Sequence, residues 1–265
     1  MMNPVQSSDH WVAHSEGTLF ARSWVPDVRP ARGEPIIMLH DSLGCVDLWR
    51  GFPAQLSAMS STQVIAYDRL GFGRSSPRTD RPSIDFVAEE AARYLPAVRA
   101  HFGVERFVVL GHSVGGGMSI EAAAQDSQTC AGLITLAAQV FAEERTLQGI
   151  RAARAQFKDA SQVERLMKYH GTKTQWVLDA WIENWLDPAF AAWSLAVVLP
   201  LVQCPALAIH GELDEYGSTV HPETIGRLCG GPTQIEVLAG VGHVPQREQP
   251  DRVAAVMSKF LADLR

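Results

Sequence analysis

Ser113 stands in Gly111-His112-Ser113-Val114-Gly115, directly behind the apolar run 107–110 and ahead of a helical pattern at 114–125. A serine hydroxyl is a poor nucleophile at neutral pH. It needs an imidazole to take its proton and a carboxylate to hold that imidazole in the right tautomer. Two later segments offer such groups. Glu212-Leu213-Asp214 follows an apolar run at 206–210, and Gly240-Val241-Gly242-His243-Val244-Pro245 follows another at 234–238. Ser113, Asp214 and His243 are therefore the candidate nucleophile, acid and base.

A G-x-S-x-G pentapeptide gains meaning from its setting. Between a strand and a helix the turn is so tight that the serine is strained, and its neighbours must lack side chains to clear the adjoining backbone. The helix starting at Val114 would also favour negative charge at its N-terminus. Rival residues have blander readings. His40 and His210 close apolar runs and are expected to pack or anchor loops, and His112 is expected to point away from the serine. Glu143 or Glu144, just past the run 132–137, is the rival acid, and Glu215 reads as a solvated neighbour of Asp214. Asp68 and Arg69 read as loop-pinning residues.

The elements that would position these groups alternate. Segments 10–14 and 18–25 flank Glu16-Gly17 and predict a β-hairpin; 36–40, 63–67, 106–111 and 132–137 read as strands buried on both faces. Helical patterns at 47–59, 85–102 and 114–125 lie between them. The fold class is thus α/β, a mostly parallel sheet flanked by helices. At 141–201 the alternation gives way to amphipathic helices alone. This segment predicts an all-helical lid inserted into a core made of 1–140 and 202–265, where helices at 220–229 and 251–264 complete the pattern. The lid contains Trp176, Trp181, Trp185 and Trp193, candidates for an apolar pocket wall. Its seven acidic and seven basic residues cancel. That argues against a strongly anionic substrate, although one cation such as Arg154 or Lys168 could grip a single carboxylate.

Composition sets the outer limits. With 265 residues, 46% hydrophobic, and 23 Lys plus Arg against 29 Asp plus Glu, the net charge of −6 provides no basic field for nucleic acid. Four scattered cysteines lack metal or disulfide spacing and suit a reducing compartment. Residues 1–10 carry no apolar signal segment, and the uncharged run 190–209 is interrupted by Pro200, Gln203 and Pro205. A cytoplasmic protein without a membrane partner is the expectation, acting on a small molecule. No sequence pattern calls for a metal, nucleotide or flavin cofactor, and the oligomeric state is unreadable.

The chain resembles the α/β-hydrolase-fold serine hydrolases over about 11–264. The order Ser, Asp, His is that family's and differs from the chymotrypsin-like and subtilisin-like orders. Met38-Leu39-His40-Asp41-Ser42-Leu43-Gly44 resembles its oxyanion loop, and Tyr67-Asp68-Arg69-Leu70-Gly71-Phe72-Gly73-Arg74-Ser75 resembles its D-x-R-G-x-G-x-S loop. The resemblance implies an oxyanion hole formed by the backbone N–H groups of Val114 and Ser42. Asp41 stands where the family has glycine, and its carboxylate is expected to point away or be held by hydrogen bonds. The implied activity is cleavage of a small, largely apolar carboxylic ester through an acyl-enzyme. Alternatives are a C–C bond hydrolase of ring-fission vinylogous diketones, although the family's His-Gly-x-Gly-Pro-Gly loop is absent; a cofactor-free perhydrolase or haloperoxidase; and a non-catalytic hydrolase-like ligand receptor.

Overall fold

A computed structural model describes residues 4–27 and 33–264. Residues 1–3 of the opening stretch read above for a signal segment lie outside the described residues. In chain order the elements are β1 (Val5–His14), β2 (Gly17–Pro26), β3 (Ile36–Leu39), α1 (Phe52–Ser60), β4 (Val64–Tyr67), α2 (Phe86–Glu89), α3 (Leu95–Phe102), β5 (Phe107–His112), α4 (Val114–Gln125) and β6 (Cys130–Leu136). Then come α5 (Glu144–Gln156), α6 (Ala160–His170), α7 (Thr174–Trp185), β7 (Ala206–Gly211), α8 (Val220–Leu228), β8 (Thr233–Leu238), α9 (Pro245–Glu248) and α10 (Pro250–Asp263).

The strands form one eight-stranded sheet in the order β1-β2-β4-β3-β5-β6-β7-β8. β1 and β2 are antiparallel, β2 is antiparallel to β4, and every pair from β4 to β8 is parallel. β3, β4, β5 and β7 are buried along their whole length, because helices cover both faces of the parallel strands. Leu95, Val98, Met118 and Ile225 close over one face. Leu56, Val253, Met257 and Phe260 close over the other. From β3 the chain moves outward to β4 and then returns to the far side of β3 as β5. That reversal leaves a crevice at the carboxyl ends of β3 and β5, where the loop 40–44 and Ser113 emerge.

Three elements differ from their sequence reading. The hairpin turn is Ser15-Glu16, one residue earlier than expected, with Gly17 already paired to His14. Gly17 opens β2 at φ 146°, and a Cβ there would lie 2.7 Å from Ser76 Cβ. The helix expected at 47–59 is a 3-10 turn, Val46–Trp49, and then α1, divided where Arg50 takes φ 54°. The helix expected at 85–102 includes a π-helical stretch, Glu90–Tyr94, between α2 and α3. Pro96 lacks the N–H and crowds the carbonyl four residues earlier, so the turn before it widens.

Between β6 and β7 the chain forms α5, α6 and α7 with short 3-10 turns, and a single β-bridge, Phe141 to Ser194, joins its two ends. α7 and the turn before it are tied to the core. Lys173 Nζ donates to the carbonyls of Phe72, Gly73 and Ser75 at 3.1, 2.7 and 2.5 Å. His170 accepts from Gly73 N–H and bonds the Leu43 carbonyl, both at 3.0 Å. Among the described residues no helix is long and apolar enough to cross a membrane.

Candidate active site

β5 carries the chain straight into Ser113, whose φ of 57° and ψ of −126° place it in a strained conformation at the head of α4. The neighbouring glycines make that turn possible. A Cβ on Gly115 would lie 2.4 Å from the Leu39 carbonyl oxygen, and one on Gly111 would lie 2.0 Å from the Gly115 carbonyl oxygen. The elbow is therefore packed backbone against backbone on the end of β3.

The three candidate residues meet. Ser113 Oγ lies 3.0 Å from His243 Nε2, and His243 Nδ1 lies 2.9 Å from both carboxylate oxygens of Asp214. Asp214 follows β7 and His243 follows β8, so each is delivered by the loop at the carboxyl end of its strand. Asp214 is buried and also accepts the N–H groups of Tyr216 and Gly217 at 2.7 and 3.1 Å. Burial pushes its carboxyl up, but the His243 hydrogen bond and nearby imidazoles pull it further down, to a net position below the usual range. For His243, burial opposes the charged form, whereas Asp214, Asp41 and Glu215 favour it. The net shift is upward.

Several residues settle into roles visible only in three dimensions. Gln139 Oε1 lies 3.1 Å from Ser113 Oγ, so the single hydroxyl proton serves either Gln139 or His243. No sequence signal marked Gln139. His112 points away from the serine, as expected, but it also holds the His243 backbone carbonyl with a 2.8 Å bond from Nε2. Burial pushes His112 down to about 4, so it stays neutral. His40 anchors a loop, with Nδ1 donating to the Asp41 carbonyl at 2.8 Å and Nε2 accepting the Arg69 N–H at 3.1 Å. The rival acids are engaged elsewhere. Glu143 accepts from Ser218 N–H at 2.8 Å and lies 3.2 Å from His221 Nε2, and Glu144 pairs with Arg151 at 2.8 Å.

One cavity opens at Ser113, and a second lies beside it. The larger, about 180 Å³, is lined by Ser113, His243, Gln139, Asp41, Ser42, Tyr216, Glu215, Trp181 and Trp185, among others. The smaller, about 30 Å³, shares Ser42, Trp181 and Trp185 with it and adds Val114, Arg69 and Trp176. Ser42 and Val114, the candidate oxyanion donors, are thus both wall residues. Trp193 is not on either wall: it stacks on Phe190, ring centroids 5.0 Å apart, because the chain after α7 folds back on itself. Arg154 and Lys168 also stay outside. Arg154 pairs with Glu183 at 3.3 Å, and both cations are exposed on the outer face of the helical insertion.

Asp41 is held through its main chain. Its backbone carbonyl, not its carboxylate, takes the bonds of His40 and Arg69. The carboxylate lies over Gly44, 4.0 Å from His112 Nδ1, and Asp41 is among the residues of the larger cavity's wall. No hydrogen bond from the described residues holds it, because neutral His112 is the only imidazole within that distance and sits beyond hydrogen-bond range.

Comparison with known proteins places this geometry in a broad group. A 26% identical relative is the dihydrolipoyllysine-residue acetyltransferase component of the acetoin cleaving system of Pseudomonas putida, aligned over 86% of this chain and 64% of that protein. Another, 27% identical, is the alpha/beta hydrolase domain-containing protein aho-3 of Caenorhabditis elegans, aligned over 82% of this chain and 54% of that one. The chain spans less than two thirds of the length of either relative. Among solved structures, carboxylesterase CesB from Bacillus subtilis superposes with a TM-score of 0.73 at 19% identity, covering 97% of this chain and 92% of that one. Proline iminopeptidase from Mycobacterium smegmatis superposes with a TM-score of 0.74 at 20% identity, covering 97% and 98%. Both likenesses concern the fold. The family model for the alpha/beta hydrolase fold matches residues 34–250, and with the observed sheet order and elbow this establishes that the chain belongs to the alpha/beta hydrolase fold family.

Proposed function

We propose that this protein is a serine hydrolase that cleaves a small, largely apolar carboxylic ester through an acyl-enzyme. The observation that carries this reading is the unbroken chain Ser113 Oγ, His243 and Asp214, at 3.0 and 2.9 Å, opening into a cavity with aromatic walls. His243 Nε2 takes the Ser113 proton as Oγ adds to the ester carbonyl, and Asp214 stabilises the imidazolium. The Val114 and Ser42 N–H groups receive the developing oxyanion. His243 returns the proton to the departing alkoxide, which leaves as the alcohol. Water, deprotonated by the same imidazole, then adds to the acyl-enzyme; collapse of that second adduct frees the acid and restores the serine.

The helices of 141–201 act as a lid in this reading, with Trp181 and Trp185 forming its inner surface. Trp176 extends that surface over the smaller cavity. The test is a fluorophosphonate probe together with p-nitrophenyl acetate and butyrate. Labelling at Ser113 and loss of turnover in Ser113→Ala are the expected results. A folded protein that neither labels nor turns over any ester would instead be a ligand receptor built on this frame, and turnover surviving Ser113→Ala would remove the assignment.

A further inference from the structure

Ser113 Oγ has two acceptors and one proton. His243 Nε2 lies 3.0 Å from it and Gln139 Oε1 lies 3.1 Å from it, so in the free enzyme one of the two is left without that hydrogen. A surplus acceptor beside a nucleophile costs free energy unless a step of the reaction supplies the missing proton. Gln139 is 2% exposed, yet it stands on the wall of the larger cavity with Ser113 and His243. Its Nε2 has no partner among the described residues and is not sealed in the interior, so the amide end reaches open space beside Ser113.

The main chain holds Gln139 in place from both sides. β6 ends at Leu136, and Ala137 follows at φ 47°, a left-handed conformation that a residue other than glycine keeps only where its surroundings impose it. Ala137 N–H donates to the Ile209 carbonyl at 2.8 Å on one side, and Val140 N–H donates to His221 Nδ1 at 3.2 Å on the other. Ala138 packs on the helix that follows the nucleophile: a Cβ on Gly116 would lie 2.4 Å from Ala138 Cβ. The amide is thus carried on the same rigid frame as Ser113, which is what a group aimed at a reacting atom requires.

We propose that Gln139 positions the water that hydrolyses the acyl-enzyme. The inference rests on the ester-hydrolase reading and adds a residue to it. Once Ser113 is acylated its oxygen carries no proton, and Gln139 Oε1 and His243 Nε2 both become free acceptors around the same atom. A water beside that oxygen has two protons, one for each. As its oxygen adds to the acyl carbon, the proton facing His243 passes to Nε2. The other stays on the water oxygen, bonded to Gln139, and leaves with the acid. His243 returns its proton to Ser113 Oγ as the bond from Oγ to the acyl carbon breaks. Two acceptors fix the water's lone pair toward that carbon, where one would leave it free to turn about a single hydrogen bond.

An alcohol exposes the difference, because methanol has one hydroxyl proton, which goes to His243, and none to give Gln139. The experiment follows p-nitrophenyl butyrate in water–methanol mixtures and measures methyl butyrate against butyrate. Single turnovers in water separately time the formation and the decay of the butyryl-enzyme. In Gln139→Met, which keeps the length and loses the acceptor, decay in water should slow about three- to tenfold relative to formation, the scale of one neutral hydrogen bond. The ratio of methyl butyrate to butyrate should rise by about the same factor. Gln139→Glu keeps an acceptor and should keep the wild-type ratio. A residue that only supports the fold would change formation and decay together and leave the ratio alone. That result, or a Gln139→Glu ratio equal to that of Gln139→Met, overturns the inference. Gln139→Leu serves the same comparison where Gln139→Met does not fold. An acyl-enzyme that forms and partitions alike in wild type and variant refutes only this role of Gln139, whereas a Ser113 that is never acylated removes the hydrolase reading and the inference together.

Discussion

The Asp214 carboxylate is shared by two imidazoles: His243 Nδ1 lies 2.9 Å from Oδ2, and His210 Nε2 lies 3.3 Å from the same oxygen. His210 also bonds the Gly217 carbonyl at 3.1 Å, which places it under the loop that carries Asp214. Burial pushes His210 below its usual value, so it serves as a neutral clamp. Replacing His210 with Ala should reduce kcat/KM roughly tenfold, the scale of one hydrogen bond to a charged group. Asp214→Asn should reduce kcat by about 10⁴ by allowing the wrong His243 tautomer. Steady-state kinetics of the two variants on one ester checks the ranking, and equal losses would contradict it.

The pH profile follows from the direction of each shift. His243 must be neutral to act as a base and its value is raised above 6.5, so kcat/KM should climb with pH through a limb above 6.5. The same raised value makes His243 stabilising at pH below 6.5, a contribution lost as pH rises through the folded-state value. Asp214, whose value is lowered from 3.8, stabilises the fold above 3.8 and loses that contribution as pH falls through its folded value. Rate measurements from pH 5 to 9 with a neutral ester locate the limb; one lying below an ordinary histidine value would contradict the assignment.

Asp41 places a negative charge on the wall of the cavity that holds Ser113. It holds His243 toward the charged form. Asp41→Asn should therefore move the limb to lower pH and raise kcat/KM at pH 6 about two- to tenfold, at the low end of charge effects near a partly exposed site. A limb that does not move would show that the carboxylate is fully screened.

Ser113 is strained and Gly115 is crowded, with opposite consequences. Ser113→Gly should stabilise the fold by about 1 kcal/mol while abolishing activity, because φ 57° costs glycine little. Gly115→Ala puts a Cβ 2.4 Å from the Leu39 carbonyl and should cost about 1–3 kcal/mol. Urea unfolding of both variants measures the two signs; Ser113→Gly coming out less stable would show that the elbow is relaxed.

How much was legible in sequence depended on how local each cause was. Ser113, Asp214 and His243 could be read because each follows an apolar run that ends in a turn, and the parallel sheet could be read from the alternation of such runs with helical patterns. Gln139, His112 and Lys173 could not. Their roles depend on which loops meet above the sheet, and their side-chain types alone say nothing of that. Trp193 read like Trp181 and Trp185 because all lie in one helical segment, but it sits past α7 where the chain reverses. Arg69 was read as a loop pin, and its bond to the Asp41 carbonyl agrees.

Gly115 against the Leu39 carbonyl has a consequence on an evolutionary scale. Ser113 is held by contact between main-chain atoms, and such a contact is indifferent to which side chains the rest of the protein carries. The segment 141–201 can therefore drift, exchange residues or be replaced outright without moving Ser113. Descendants of this frame are expected to diverge in that segment, while Ser113 stays where the sheet puts it.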